Sequence, residues 1–127
     1  MWVSGSVAVL LILFSLAAAL VRLAAYPQIH ITAAPGADPE LRNIAGFVEG
    51  LGNPERYKVL IYAKQDHWYV QPFISQPLTD IDPRGTWVGQ THIGNTYGAL
   101  VVEPSYHPEA ILDALPPVEG AVKAKIQ

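Results

Sequence analysis

The sequence predicts a mainly β protein: an antiparallel β-sandwich preceded by one N-terminal transmembrane α-helix. Three observations carry this reading. From Met1 to Val21 no side chain is ionisable, whereas the 100 residues from Gln28 onward hold seven Lys/Arg and eleven Asp/Glu. After Pro27 the continuous apolar run gives way to short alternating runs separated by Gly, Pro, Asn and Asp, the pattern of a small all-β fold. The whole is 127 residues long and half hydrophobic, which allows one domain of ordinary size plus an apolar segment.

The first element, residues 1–26, is expected to be a membrane anchor. An uncharged run of about 20 residues is what a helix needs to cross ~30 Å of hydrocarbon. Trp2 and Tyr26 bracket the run as aromatic interface anchors, Arg22 is placed to snorkel, and Pro27 ends the helix. The competing reading is a cleaved secretory signal, for which Ala17–Ala19 would offer small residues. No Lys or Arg precedes the apolar run, so the positive start of such a signal is missing, and a retained span is expected. Ser4 with Ala8 and Ser15 with Ala19 stand four apart on one helix face and are candidates for close packing against a neighbouring helix. Small residues are also common in any membrane helix. Counting Lys and Arg around the span gives too few charges to fix its orientation.

Residues 27–127 form the second unit. Its expected strands are 28–32, 45–51, 57–63, 68–71, 78–81, 86–90, 97–103 and 120–126. The intervening Pro35-Gly36, Gly52-Asn53-Pro54, Gln65-Asp66-His67, Asp82-Pro83-Arg84-Gly85 and Gly94-Asn95 supply the backbone angles that turns require. The runs YKVLIYA and YGALVV are the most apolar and are expected to be central. Pro72 and Pro77 confine their neighbourhood to an edge or a connection. One or two helical turns are expected at 108–115, where Ile111, Leu112 and Leu115 share a helical face. Tyr97, two residues before the small Ala99, occupies the position of a tyrosine corner, with Ala99 where antibody domains carry a Cys.

Composition excludes several function classes. The chain has no cysteine, so disulfides, thiolate metal sites and Cys nucleophiles are ruled out. The Lys and Arg are scattered singly in a unit of net charge −4, which argues against nucleic acid as a partner. His30, His67, His92 and His107 show no i, i+2 or i, i+4 pair that would grip a metal, and no cofactor is expected. His92 is expected to be a hydrogen-bonded structural residue beside Trp87. Asp80-Ile-Asp82-Pro-Arg84-Gly85 begins like a calcium loop, but Arg84 and Thr91 stand where oxygen ligands are needed, which leaves an Asx-stabilised turn. Trp68, Tyr69 and Trp87 are candidates for a glycan or partner platform, because an exposed indole offers a π face to a sugar ring. Strand alternation sends Trp68 and Tyr69 to opposite faces, so one of them must enter the core.

The strings Tyr57–Lys64 (YKVLIYAK), Trp68–Pro72 (WYVQP), Gly85-Thr-Trp87, Thr91-His-Ile-Gly94, Tyr97–Val102 (YGALVV) and Leu115–Gly120 (LPPVEG) together resemble a recurring module. It belongs to bacterial extracytoplasmic proteins, with an approximate consensus YKVVIYAKTDxWYVQP, DGTW, THxG, YAALLV and LPxVGG. The resemblance spans about Ile29 to Ala124 and departs at Arg84 and Glu119, both turn positions. It implies an Ig-like or carbohydrate-binding-like sandwich outside the cytoplasm and assigns no catalytic residue. The expectation is therefore a non-catalytic accessory subunit, held by a single pass in a bacterial inner membrane. Its periplasmic domain braces other membrane protein subunits of a larger complex, with respiratory or photosynthetic electron-transport assemblies as the host class suggested by general architecture. The alternative is a membrane-tethered glycan-binding module.

Overall fold

The computed structural model describes residues 26–36 and 41–127. They build two antiparallel sheets from nine strands: β1 (Gln28–Ala33), β2 (Arg42–Glu49), β3 (Lys58–Lys64), β4 (Trp68–Gln71), β5 (Leu78–Asp80), β6 (Thr86–Thr91), β7 (Thr96–Val102), β8 (Ile111–Leu112) and β9 (Val122–Ile126). One sheet has the order β1-β2-β6. The other runs β8-β4-β3-β7-β9, with β5 also paired to β3.

Alternation in the smaller sheet is regular, because only one of its faces meets a core. Ile29, Ile44, Val48 and Trp87 point inward and meet Val59, Ile61, Ala99, Val101 and Ala124 from the larger sheet. Gly46 lets Trp87 lie flat against β2: a Cβ there would stand 1.8 Å from the His30 carbonyl oxygen and 2.6 Å from the Trp87 ring. The larger sheet is covered on both sides. Its second face carries Leu60, Tyr62, Trp68, Val70, Leu100 and Val102, closed by Leu115 and Val122. That double burial explains why β3 and β7 read as continuous apolar runs, and they pair with each other at the centre of the sheet as expected.

The eight expected strands form, with shifted ends where glycines intervene. β2 begins at Arg42 and stops before Gly50, whose φ of 79° turns the chain and places Leu51 against the core instead of in the strand. β9 begins at Val122, after a turn in which the Val122 N–H donates to the Glu119 carbonyl at 3.0 Å. The helical turn expected at 108–115 does not form. Pro108, Pro116 and Pro117 hold this stretch extended, and β8 pairs Leu112 with Trp68 and Ile111 with Tyr69. It thereby gives the exposed edge of β4 backbone partners, which a helical turn would not.

Pro72 and Pro77 bracket a feature that only strand register reveals. Gln71 pairs with Ile61, and the next residue of β3, Leu60, pairs with Leu78. β4 and β5 are thus one interrupted strand, from which residues 72–77 loop out, closed on themselves by a Phe73–Gln76 bridge. Phe73 and Ile74 at its tip are half exposed.

Among the described residues no helix is long and apolar enough to cross a membrane. Trp2, Ser4, Ala8, Ser15, Ala19 and Arg22 lie outside the described residues; Tyr26, the first that is described, is exposed.

Candidate functional site

The polar side chains gather at the end of the sandwich formed by the β3–β4 hairpin and the β6–β7 connection. In the hairpin, the Asp66 carboxylate accepts hydrogen bonds from the Tyr69 hydroxyl (2.7 Å) and the His67 N–H (3.0 Å). These bonds, the Tyr69 one first, hold the Asp66 carboxyl below its usual range and push the Tyr69 phenol up. His67 Nδ1 lies 2.9 Å from the Asp113 carboxylate, which ties the hairpin to the segment after β8.

Gln71 is the buried polar hinge of this end. Its Oε1 accepts from the His92 N–H at 2.7 Å and stands 3.0 Å from His92 Nδ1, while its amide donates to the Tyr69 carbonyl at 3.3 Å. Because a carbonyl oxygen only accepts, Nδ1 must carry a proton in this contact. His92 is therefore a hydrogen-bonded structural residue, as expected, but its ring neighbour is Phe73 (centroids 5.5 Å apart), whereas Trp87 packs over Gly46. Thr91, the neighbouring buried polar residue, donates to the His92 carbonyl at 2.8 Å. Tyr97 makes the corner its position predicts: its oxygen accepts the Gly94 N–H at 3.1 Å.

The Asp80–Gly85 segment is an Asx-stabilised turn. The Asp82 carboxylate accepts from the Arg84 N–H (2.9 Å), the Thr86 N–H (3.0 Å) and the Thr86 hydroxyl, while Asp80 pairs with Lys58 across β5 and β3. Gly85, at φ 89°, then places its carbonyl 2.8 Å from the Val48 N–H. These carboxylates are occupied in holding the loop. The remaining histidines are dispersed. His30 stacks on Phe47 (4.4 Å) beside Glu49 on the outer face of the smaller sheet, and among the described residues no His, Asp and Glu group together as metal ligands.

The aromatic platform does not assemble. Trp68 is 5% exposed in the outer cluster of the larger sheet, Trp87 is 2% exposed between the sheets, and Tyr69 is half-buried on the hairpin. The outer cluster drew Trp68 inward because the 103–121 connection folds over that face, a consequence of tertiary packing that alternation alone does not reveal.

Nothing among known family models, curated proteins or solved structures matches this chain. Its chemistry is therefore read from its own surface. Among the clefts that open on the described residues are three of about 420, 410 and 370 Å³. The second lies beside the looped-out segment, and the third is lined by Gln65, Tyr69, Gln71 and His92. The first lies under Lys64 and Lys125 on the outer face of the larger sheet. Sequence reasoning passed over that cleft. The lysines are 61 positions apart in the chain, and the only local signal was the Lys-Ala-Lys alternation at Lys123 and Lys125.

Proposed function

We propose that this chain is a non-catalytic, membrane-tethered module whose Ig-like sandwich docks on the outer face of a bacterial inner membrane against other subunits of a larger complex. The observation that carries the reading is the looped-out segment 72–77. It is closed by its own bridge, bracketed by prolines, and presents Phe73 and Ile74 half exposed beside the sheet. Such a preformed apolar projection costs little conformational entropy to bury against a partner. The uncharged stretch from Met1 to Val21 supports the tether. The polar side chains support a scaffold role, since Asp66 and Gln71 at the hairpin end and Asp82 in the β5–β6 turn each hold backbone or neighbouring side chains in place.

Docking by a tethered domain needs only a weak contact, because the anchor raises its local concentration to the millimolar range. Native gel electrophoresis of membranes solubilised in mild detergent tests the proposal. The intact chain is expected to migrate with partners, and the Phe73→Ser/Ile74→Ser double variant to separate from them. Migration of the unaltered chain alone, at its own mass, overturns the docking role. The glycan-binding alternative loses the platform on which it rested, because both indoles are buried.

A further inference from the structure

The edge of a sheet is a row of unpaired N–H and C=O groups that another strand can join, and folds blunt their edges with bulges, short strands, prolines or lysines. Most edges of this sandwich are blunted in these ways. β1 shifts register between Ile31 and Ala33. β9 carries Lys123 and Lys125 and shifts register against β7. β8 has two residues, and β5 has three, preceded by Pro77 and ending on Asp80. Among the described residues the exception is β6, the outer strand of the smaller sheet. Its six residues, Thr-Trp-Val-Gly-Gln-Thr, include no charge and no proline, and they pair with β2 in unbroken register. Val88, in the middle of the strand, is 64% exposed.

The free backbone groups of β6 are arranged symmetrically. The Val48 N–H donates to the Gly85 carbonyl at 2.8 Å, and successive residues of a strand turn their backbone groups to opposite sides, so Trp87, Gly89 and Thr91 turn theirs toward β2. Thr86, Val88 and Gln90 turn theirs to the open side. Those of Thr86 are taken up locally: its N–H donates to the Asp82 carboxylate at 3.0 Å, and its carbonyl accepts from the Asp82 N–H at 2.9 Å. What is left is the N–H and C=O of Val88 and of Gln90, placed evenly on either side of Gly89. The surface beside them is open, since the cleft of about 410 Å³ lies between Gln90 and the β5 residues Leu78 and Thr79. Gly89 meanwhile fixes the strand to the larger sheet, because its bare Cα lets Ile61 Cδ1 approach to where a Cβ would stand 2.4 Å away.

We propose that β6 pairs antiparallel with β6 of a second copy of this chain, about a two-fold axis at Gly89. In that register Val88 lies opposite Gln90 of the second copy, and each such pair exchanges both N–H···O=C bonds, so every free group on the two strands is used. An uncharged strand meets itself without like-charge repulsion, and the two Val88 side chains lie diagonally across the axis, where they shield one another from water. The strand of a different protein could use the same groups, but it would not require them to be symmetric about one residue. That symmetry assigns the edge to a second copy, and two three-stranded sheets become one of six.

Sedimentation equilibrium of the purified full-length chain in detergent, free of other proteins, tests the pairing. The protein mass is expected to rise with concentration from the 13.8 kDa of one chain to twice that value. Val88→Lys sets like charges across the axis and should weaken the dimer about tenfold. Val88→Lys/Gln90→Glu, which sets opposite charges in each pair, should recover most of that loss. Thr32→Lys, on the exposed far strand of the same sheet, should change nothing, and unchanged thermal midpoints in all three variants show that the fold is retained. In the unaltered chain, hydrogen exchange at the Val88 and Gln90 amides, read by NMR, should slow about tenfold or more as concentration rises. A single-chain mass at every concentration, a dimer indifferent to Val88→Lys, no recovery in the double variant, or exchange at both amides independent of concentration overturns the proposal. Because the sample holds no other subunit, such a failure leaves the docking role standing, and the native gel decides that role separately.

Discussion

Replacing Tyr62 by Phe should make the domain more stable. The Tyr62 side chain is wholly buried in the outer cluster, and its hydroxyl has no hydrogen-bond partner among the described residues. A buried hydroxyl that has surrendered its water without replacement costs about 1–3 kcal/mol. Deleting the oxygen leaves a void of roughly 10–15 Å³, which at ~24 cal/mol per Å³ returns only about 0.3 kcal/mol of loss. The net expectation is a gain of about 1–2 kcal/mol. With a urea slope of about 1–3 kcal/mol/M, the unfolding midpoint moves up by about 0.5–1 M. Tyr97→Phe is the opposite control, since it removes the acceptor of the Gly94 N–H and should cost about 1 kcal/mol.

The same burial gives a second readout in alkali. Desolvation, with Tyr106 and Glu109 adding to it, raises the Tyr62 phenol above its ordinary value of 10.0. The folded chain therefore holds this proton more tightly than the unfolded chain. The contribution is fully present below about pH 10 and is lost as pH rises above it, by up to about 1.4 kcal/mol per unit. Tyr62→Phe should flatten that part of the alkaline limb. A variant destabilised by 1 kcal/mol or more, with an unchanged alkaline slope, would refute the reasoning by showing a partnered hydroxyl.

Gly46→Ala should cost about 3 kcal/mol, because the new methyl group meets the His30 carbonyl of the adjacent strand and the Trp87 ring, and a backbone atom cannot swing aside. Gly36→Ala, which meets nothing within 4 Å, should leave the thermal midpoint within a degree or two if close approach is the cause. Asp82→Asn should weaken the acid dependence of stability. The Thr86 hydrogen bonds hold the Asp82 carboxyl below its ordinary value, so its stabilisation is present above about pH 4 and is lost as pH falls through the folded value. Thermal melts from pH 5 to pH 2 should show a shallower decline in the variant; superimposable profiles would mean the carboxylate is not coupled to folding.

Much of this protein is local, and what is local is legible. The absence of ionisable side chains from Met1 to Val21 needs no structure to be seen. Alternation placed the strands, because a half-buried strand must send successive side chains to opposite faces, and Ile29, Ile44, Val48 and Trp87 do so. Asp82-Pro-Arg-Gly85 announced its turn through side chains that bond their own backbone, and Tyr97 announced its corner by standing two residues before the small Ala99.

What tertiary structure decided is what depends on residues distant in the chain. The sequence marked Pro72 and Pro77 as an interruption, but only the pairing of Gln71 and Leu78 with adjacent residues of β3 shows a strand with its middle looped out. Residues 108–115 carried a helical pattern, yet the backbone groups of β4 needed partners and the flanking prolines kept the chain extended. Trp68 and Tyr69 had to face opposite ways, but which of them was buried depended on the 103–121 connection folding over the sheet. The cleft under Lys64 and Lys125 depends most fully on the fold. Lys64, Lys125, Trp68 and Leu115, which line it, come from β3, β9, β4 and the 103–121 connection, and only the folded chain brings them together.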